Sequence, residues 1–240
     1  MRVTILTLFP QIFRGFLEES LIGKAVEQGL LKVDVVDIRG YASGKHRVTD
    51  DTPFGGGVGM VLKPEPVVEA VEAHRLEKLK GRAVLLTPRG ELFSQPMARE
   101  LSAFQQLLLI CGRYEGVDER VTKLVVDQEI SIGDYVLMGG EVAAMVVVEA
   151  VARYLPGVVG DPDSVAEDSF SSGLLKYPQY TRPREYRGLE VPEALLEGDH
   201  RKIERWRRRE ALRLTLERRP DLIRPDRLSS EDLEFLKGHL

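Results

Sequence analysis

The stretch from Leu107 to Met145, LLLICGRYEGVDERVTKLVVDQEISIGDYVLMGGEVAAM, constrains this chain most. Leu107–Cys111 is an apolar run of the length of a buried strand. It breaks into CGRYEG, where Gly112 and Gly116 bracket Arg113, Tyr114 and Glu115. A second break, SIGDYVLMGGE, carries Gly133, Gly139 and Gly140. Glycines just after buried strands let the backbone turn with positive φ or approach a ligand closely. Ligands of open α/β sheets bind beyond the carboxyl ends of the strands. Either loop alone reads as a turn. The two together, with Asp134 and Tyr135, predict one pocket lined mainly by backbone. Neither G-x-G-x-x-G nor G-x-x-x-x-G-K-[ST] occurs, so the pocket is not built around a pyrophosphate.

The flanking segments predict an α/β fold. Arg2–Leu8 reads as a strand, Pro10–Gly29 as a helix and Leu31–Ile38 as a strand, the start of a βαβ unit with a parallel sheet. Pro64–Lys80 reads as a helix and Arg82–Leu86 as a strand running into a tight turn, Thr87-Pro88-Arg89-Gly90. Pro96–Gln106 and Val117–Val126 read as helices on either side of the central strand and its loop. Glu129–Asp134 leads into the second glycine loop. Glu141–Leu155 is apolar nearly all round, which predicts a buried helix; a subunit interface could supply its cover. Between the second strand and Pro64, the aperiodic stretch Arg39–Met60 holds His46, Arg47 and the run Gly55–Gly57. Its charges and glycines fit disorder, whereas Pro53, Phe54, Val58, Met60 and Val61 fit a packed functional loop.

Pro156–Gly173 is rich in glycine, proline and serine and carries Asp161, Asp163, Glu167 and Asp168, which predicts a linker and a domain boundary. The expected organisation is a domain over residues 1–160, a linker over 161–173 and a mostly helical domain over 174–240. In the last, Asp199 is the expected cap of a helix through Arg218, and Ser229 or Ser230 the cap of a helix through His239. Net charge is −4, which argues against a nucleic-acid binder in bulk. From Arg201 to Arg219, however, nine basic residues face three acidic ones, and the rest of the chain has 25 basic against 35 acidic. That asymmetry fits either a nucleic-acid surface or a solvated helix face.

Other classes recede. The hydrophobic fraction of 43% supports a real core, while no apolar run reaches the roughly 18 residues of a membrane span. MRVTILTLFP is too short and too alternating for a signal peptide. The single cysteine, Cys111, forbids an intrachain disulfide and reads as a buried structural thiol. The chain is expected in the cytoplasm. His46, His74, His200 and His239 are far apart, so no metal constellation is visible. The missing glycine fingerprint counts against a nucleotide-dependent oxidoreductase.

CGRYEGVDER and SIGDYVLMGGE resemble the signature loops of the bacterial tRNA (guanine-N1)-methyltransferases of the SPOUT class. HRVTDDTPFGGGVGMV at His46–Val61, LTPRG at Leu86–Gly90, EDSF at Glu167–Phe170, YTRP at Tyr180–Pro183 and the basic segment around Trp206 match as well, in order, over almost the whole chain. The sequence departs from the family pattern at Met138, where a small polar residue is common, and at Val142–Ala144, where proline is frequent. The resemblance implies a SPOUT-type parallel-sheet domain ending in a trefoil knot, which the residues alone would not suggest. It implies S-adenosyl-L-methionine as methyl donor, with magnesium as an assisting ion for which no motif here fixes a site.

The resemblance places the donor first against Leu85, Leu86, Thr87, Pro88 and Gly90. Gly112, Tyr114 and Glu115 follow from the first glycine loop. Ile132, Gly133, Asp134, Tyr135, Val136, Leu137, Gly139 and Gly140 come from the second. The tRNA would be held by His46, Arg47, Gly55, Gly57 and Gly59, and by Arg182, Arg201, Lys202, Arg205 and Arg208. The implied target is guanosine 37, beside the anticodon, and the implied assembly a homodimer whose sites are shared between subunits. Carried over residue by residue, Asp168 is the general base and Arg153 its partner near O6 of guanine. The plain readings are a solvated linker acid and a basic residue complementing a helix C-terminus. A non-catalytic RNA-binding protein that keeps the pocket is the competing function; Asp168 and Arg153 favour the enzyme.

Overall fold

The computed structural model describes residues 1–160 and 167–238. Asp161 and Asp163 of the expected linker, and His239 of the expected last helix, lie outside the described residues. The chain folds as two compact units, Met1–Gly160 and Asp161–Leu240.

In the first unit, β-branched and leucine-rich runs become the strands β1 (Arg2–Thr7), β2 (Lys32–Asp37), β5 (Gly81–Leu92), β6 (Gln106–Cys111) and β7 (Gln128–Ser131). They form one sheet in the order β2-β1-β6-β5-β7, with every pairing parallel. Leu107–Cys111 is fully buried because β6 lies in the middle of the sheet with both faces covered. The two faces carry separate cores. On one, the 3-10 turn that precedes α1 (Arg14–Glu18) buries Phe13, and α2 (Ser20–Glu27), α4 (Gln95–Ser102) and α6 (Glu141–Ala152) bury Ile22, Leu101 and Val147, against Ile5, Leu107 and Leu109. On the other, α3 (Pro64–His74) and α5 (Glu119–Val125) bury Val67, Val71 and Val121 against Leu6, Leu85, Leu108 and Ile110.

Four expectations change. The helix foreseen over Pro96–Gln106 is α4, which ends at Ser102, and Gln106 already opens β6. The helix foreseen over Pro10–Gly29 is a 3-10 turn followed by α1 and α2, broken where Glu19 is extended and Ser20 has φ of 61°. Gly23 allows this kink, because a Cβ there would stand 2.6 Å from the Glu18 carbonyl carbon. The helix foreseen over Pro64–Lys80 stops at His74. There the buried Gln106 side chain donates to the His74 carbonyl at 2.8 Å and accepts from the Leu76 amide at 3.0 Å. Thr87–Gly90 is not a turn ending a strand: it loops out of β5, which pairs with Ile130 both before it, at Leu86, and after it, at Glu91. Gly90 is required at that crossing, since a Cβ would lie 2.3 Å from the Ile130 amide nitrogen. The stretch Arg39–Met60 contains a 3-10 turn and, with Val61–Leu62, a short antiparallel pair, β3 (Asp50–Asp51) and β4 (Val61–Leu62).

The second unit has its own small core, in which Leu174, Ala211, Leu212 and Leu236 pack with Tyr177, Leu216 and Phe235. Its long helix α7 (His200–Arg218) starts where the Asp199 carboxylate accepts from the Arg201 and Lys202 amides. The last helix, α8 (Ser230–Lys237), starts with a reciprocal capping box between Ser229 and Asp232. A hairpin, β8 (Glu185–Tyr186) and β9 (Leu189–Glu190), went unforeseen.

Candidate active site

The loops that follow β6 and β7, and the segment looped out of β5, surround one cavity of about 230 Å³. Leu86, Thr87 and Pro88 line one wall, Gly112, Tyr114 and Glu115 a second, and Ile132, Gly133, Tyr135, Val136 and Leu137 a third. Gly139 and Gly140 close the floor together with Arg113 and Ala143. The two glycine loops, distant in sequence, meet through backbone: Gly140 N–H donates to the Gly112 carbonyl at 2.9 Å, and Arg113 pairs antiparallel with Gly139.

Several glycines serve the chain's own packing. A Cβ at Gly140 would stand 2.7 Å from Cys111 Cα, and one at Gly139 would stand 2.3 Å from Arg113 Nε. One at Gly133 would strike the Tyr135 ring at 2.4 Å, where Tyr135 folds back to donate its hydroxyl to the Ile132 carbonyl. The first glycine loop is also tight. Tyr114 has φ of 58°, and the amides of Glu115 and Gly116 donate to the carbonyls of Met60 and Arg113.

Three of the residues expected to hold the donor do not line the cavity. Leu85 points into the core beneath α3 and α5, since alternate residues of β5 face opposite sides of the sheet. Gly90 is packed on Ile130, and Asp134 is exposed; none of the three lines the cavity. Of the expected tRNA contacts in this unit, Gly59 is brought to the site: its Cα faces Glu115, whose Cγ a Cβ would meet at 2.6 Å. Gly55 and Gly57 have positive φ in the exposed segment leading to it. His46 and Arg47 are exposed on their loop and do not line the cavity.

Sequence reasoning missed a polar cluster under the floor. Glu141, at the first turn of α6, is 1% exposed. Its carboxylate accepts from Thr7 Oγ1 at 2.8 Å and pairs with Arg113 Nε at 3.1 Å. Arg113 Nη1 also donates to the Met138 carbonyl at 3.2 Å, and its guanidinium stacks 4.3 Å over the Phe9 ring. Removing one partner of a buried pair of this kind costs about 3–5 kcal/mol. A glutamate opening a helix that is apolar nearly all round was the available signal. Cys111, against this cluster, has its thiol pushed well above its ordinary pKa by burial and then by the Glu141 charge, which keeps it unreactive.

Arg153 closes α6 in the first unit. Asp168 lies in the second, half-buried, with Lys176 Nζ at 3.8 Å from its carboxylate. In α7, Arg201, Lys202 and Arg205 are exposed, as is Arg182 before the helix. Arg208 differs from the surface role expected of it: its guanidinium makes a two-pronged pair with Asp232, at 3.0 and 2.8 Å. That pair ties α7 to the start of α8. Among the described residues no group of three His, Cys, Asp or Glu could hold a metal ion.

A parallel sheet whose three neighbouring strands converge on one backbone-lined cavity defines an α/β protein with a ligand site at the strands' carboxyl ends. The chain belongs to the tRNA (Guanine-1)-methyltransferase TrmD family, whose model matches residues 1–225. It is similar to proteins named tRNA (guanine-N(1)-)-methyltransferase. That of Moorella thermoacetica is 57% identical, covering 99% of this chain and 96% of the relative. That of an Anaeromyxobacter species is 57% identical over 98% and 96%, and that of Dictyoglomus turgidum 53% over 99% and 96%.

Proposed function

We propose that the protein transfers the methyl group of S-adenosyl-L-methionine to N1 of guanosine 37 in tRNA. The carrying observation is the convergence of the three loops on one cavity, in a chain that matches the methyltransferase family over nearly its whole length. The donor supplies an electrophilic methyl on a sulfonium. The residues around the cavity bind and orient it, because in-line transfer is chiefly a matter of positioning.

N1 of guanine carries a proton at neutral pH, so its lone pair becomes available only as a base removes that proton. Asp168 is the base in this reading, with Lys176 holding its carboxylate from one side. Negative charge then develops on O6, and the guanidinium of Arg153 stabilises it. Glu115, with Gly59 against it, borders the donor. The exposed Arg182, Arg201, Lys202 and Arg205 contact tRNA phosphates, and the chain works in the cytoplasm with a knotted first domain and a tRNA-binding second domain.

The reading includes a homodimer with shared sites. Val136 and Met138, at 87% and 90% exposure, and the exposed Val142 and Val146 of α6 form an apolar rim beside the cavity that a second copy would cover. The test is Asp168→Asn, which keeps size and hydrogen bonding. Donor binding should persist while single-turnover methyl transfer falls about 10²-fold or more. Near-normal transfer overturns the role of Asp168.

A further inference from the structure

The cluster of Thr7, Glu141 and Arg113 does more than fill space. Arg113 stands between Gly112 and Tyr114 in the first glycine loop, yet its side chain reaches across to the second. It donates to the Met138 carbonyl at 3.2 Å and lies where any side chain on Gly139 would have to be. Its reach is fixed from behind by the Glu141 carboxylate at 3.1 Å, which Thr7 Oγ1 fixes in turn at 2.8 Å. Thr7 also accepts from the Phe9 amide at 2.9 Å, setting the ring on which the guanidinium stacks. One guanidinium thus ties the first glycine loop to the segment after β1, to the second glycine loop at Met138 and to the start of α6.

The second observation is strain. Tyr114, the next residue and a cavity-lining one, holds φ of 58°, a left-handed conformation that a tyrosine keeps only when its surroundings impose it. The Glu115 amide, bonded to the Met60 carbonyl at 3.0 Å, fixes that turn from its far side. The Gly116 amide, donating to the Arg113 backbone carbonyl at 2.9 Å, closes it from the near side, and the Arg113 side chain anchors that end of the turn to the second glycine loop. A planar fork bonded along two edges and stacked on an aromatic face sets orientation as well as distance, which a lysine ammonium cannot do.

We propose that Arg113 is a positioning residue for the methyl donor, locked in place by Glu141 and Thr7. The lock holds the two glycine loops at the spacing the donor requires and keeps Tyr114 in its strained turn. This rests on the cavity being the donor site.

The experiment uses the full chain and S-adenosylhomocysteine, the demethylated donor, titrated calorimetrically. Four variants are compared with the parent: Arg113→Lys, Glu141→Gln, Thr7→Val and Thr7→Ser. The folded fraction of each is taken from its thermal unfolding curve. Arg113→Lys and Thr7→Val should each weaken binding about tenfold or more, beyond any loss of folded fraction. Glu141→Gln should do likewise, and Thr7→Ser, which keeps the hydroxyl, should bind as the parent does. If affinity falls no further than the folded fraction, the lock is structural only and the proposal is overturned. If Thr7→Ser fails like Thr7→Val, the hydroxyl is not the locking group and the proposal is again overturned. If the parent itself does not bind S-adenosylhomocysteine, it is the donor reading that fails, and the positioning role falls with it.

Discussion

The amide of Gly140 donates to the carbonyl of Gly112 at 2.9 Å, and the space a Cβ would need at Gly140 is taken by Cys111 Cα at 2.7 Å. The paired glycine therefore answers first to β6 and only through it to a ligand. Gly140→Val should lose donor binding and also lower stability by about 1–3 kcal/mol, the usual cost of overpacking. Calorimetry and thermal unfolding on the same sample separate the two. An unchanged melting temperature with donor binding abolished would return this glycine to a purely ligand-facing role.

Arg205 and Arg208 should behave differently although both lie in the basic helix. Arg205 is exposed, and its Nε stands 3.7 Å from the Glu231 carboxylate. Arg205→Ala should weaken tRNA binding for all sequences alike and reduce the salt slope by about 1, with little change in melting temperature. Arg208→Ala removes the partner of a nearly buried carboxylate and should destabilise the second unit. Equal effects of the two on salt slope would show that both reach phosphate.

The same pair sets a pH dependence. The Arg208 hydrogen bonds hold Asp232 down at about 2, against burial, which acts the other way. A depressed carboxylate contributes stability that is complete above its unfolded pKa of 3.8 and is lost as pH falls through about 2. The contribution is about 1–2 kcal/mol, since the guanidinium is partly solvated. Denaturant unfolding of the parent and of Asp232→Asn between pH 5 and pH 2 measures it. The gap between the two should close as pH falls, and a constant gap would remove the ion pair from the account.

The strands β1, β2 and β6, the start of β5, the parallel sheet and the two glycine loops were legible because buried strands and their breaks are written in consecutive residues, whereas β7 read only as the lead into the second glycine loop. Asp199 and Ser229 were legible as caps for the same reason. What escaped depended on partners distant in the chain. The end of α3 is set by Gln106, the break before α2 by Gly23 against Glu18, and the return of β5 by Gly90 on Ile130. At the site, Thr7 and Glu141 are separated by most of the first unit, so no local pattern announces their hydrogen bond. Arg208 looked like its neighbours because helical spacing shows which residues share a face and not which of them finds a carboxylate.

A shared site can be tested by complementation. Asp168→Ala removes the base, and Gly139→Val, where a Cβ would strike Arg113, disables the pocket. Each variant alone should be inactive. In mixed dimers, verified with two differently tagged chains, one site would join an intact pocket to an intact Asp168, and activity should return. No recovery would show that each chain serves its own pocket.

The most direct measurement is nucleoside analysis of a tRNA transcript bearing guanosine 37 after incubation with the protein and isotopically labelled S-adenosylmethionine. Labelled 1-methylguanosine should form, map to position 37, and be absent from a transcript with adenosine there. No labelled 1-methylguanosine, or label at another nucleotide or ring atom, would contradict the proposed reaction.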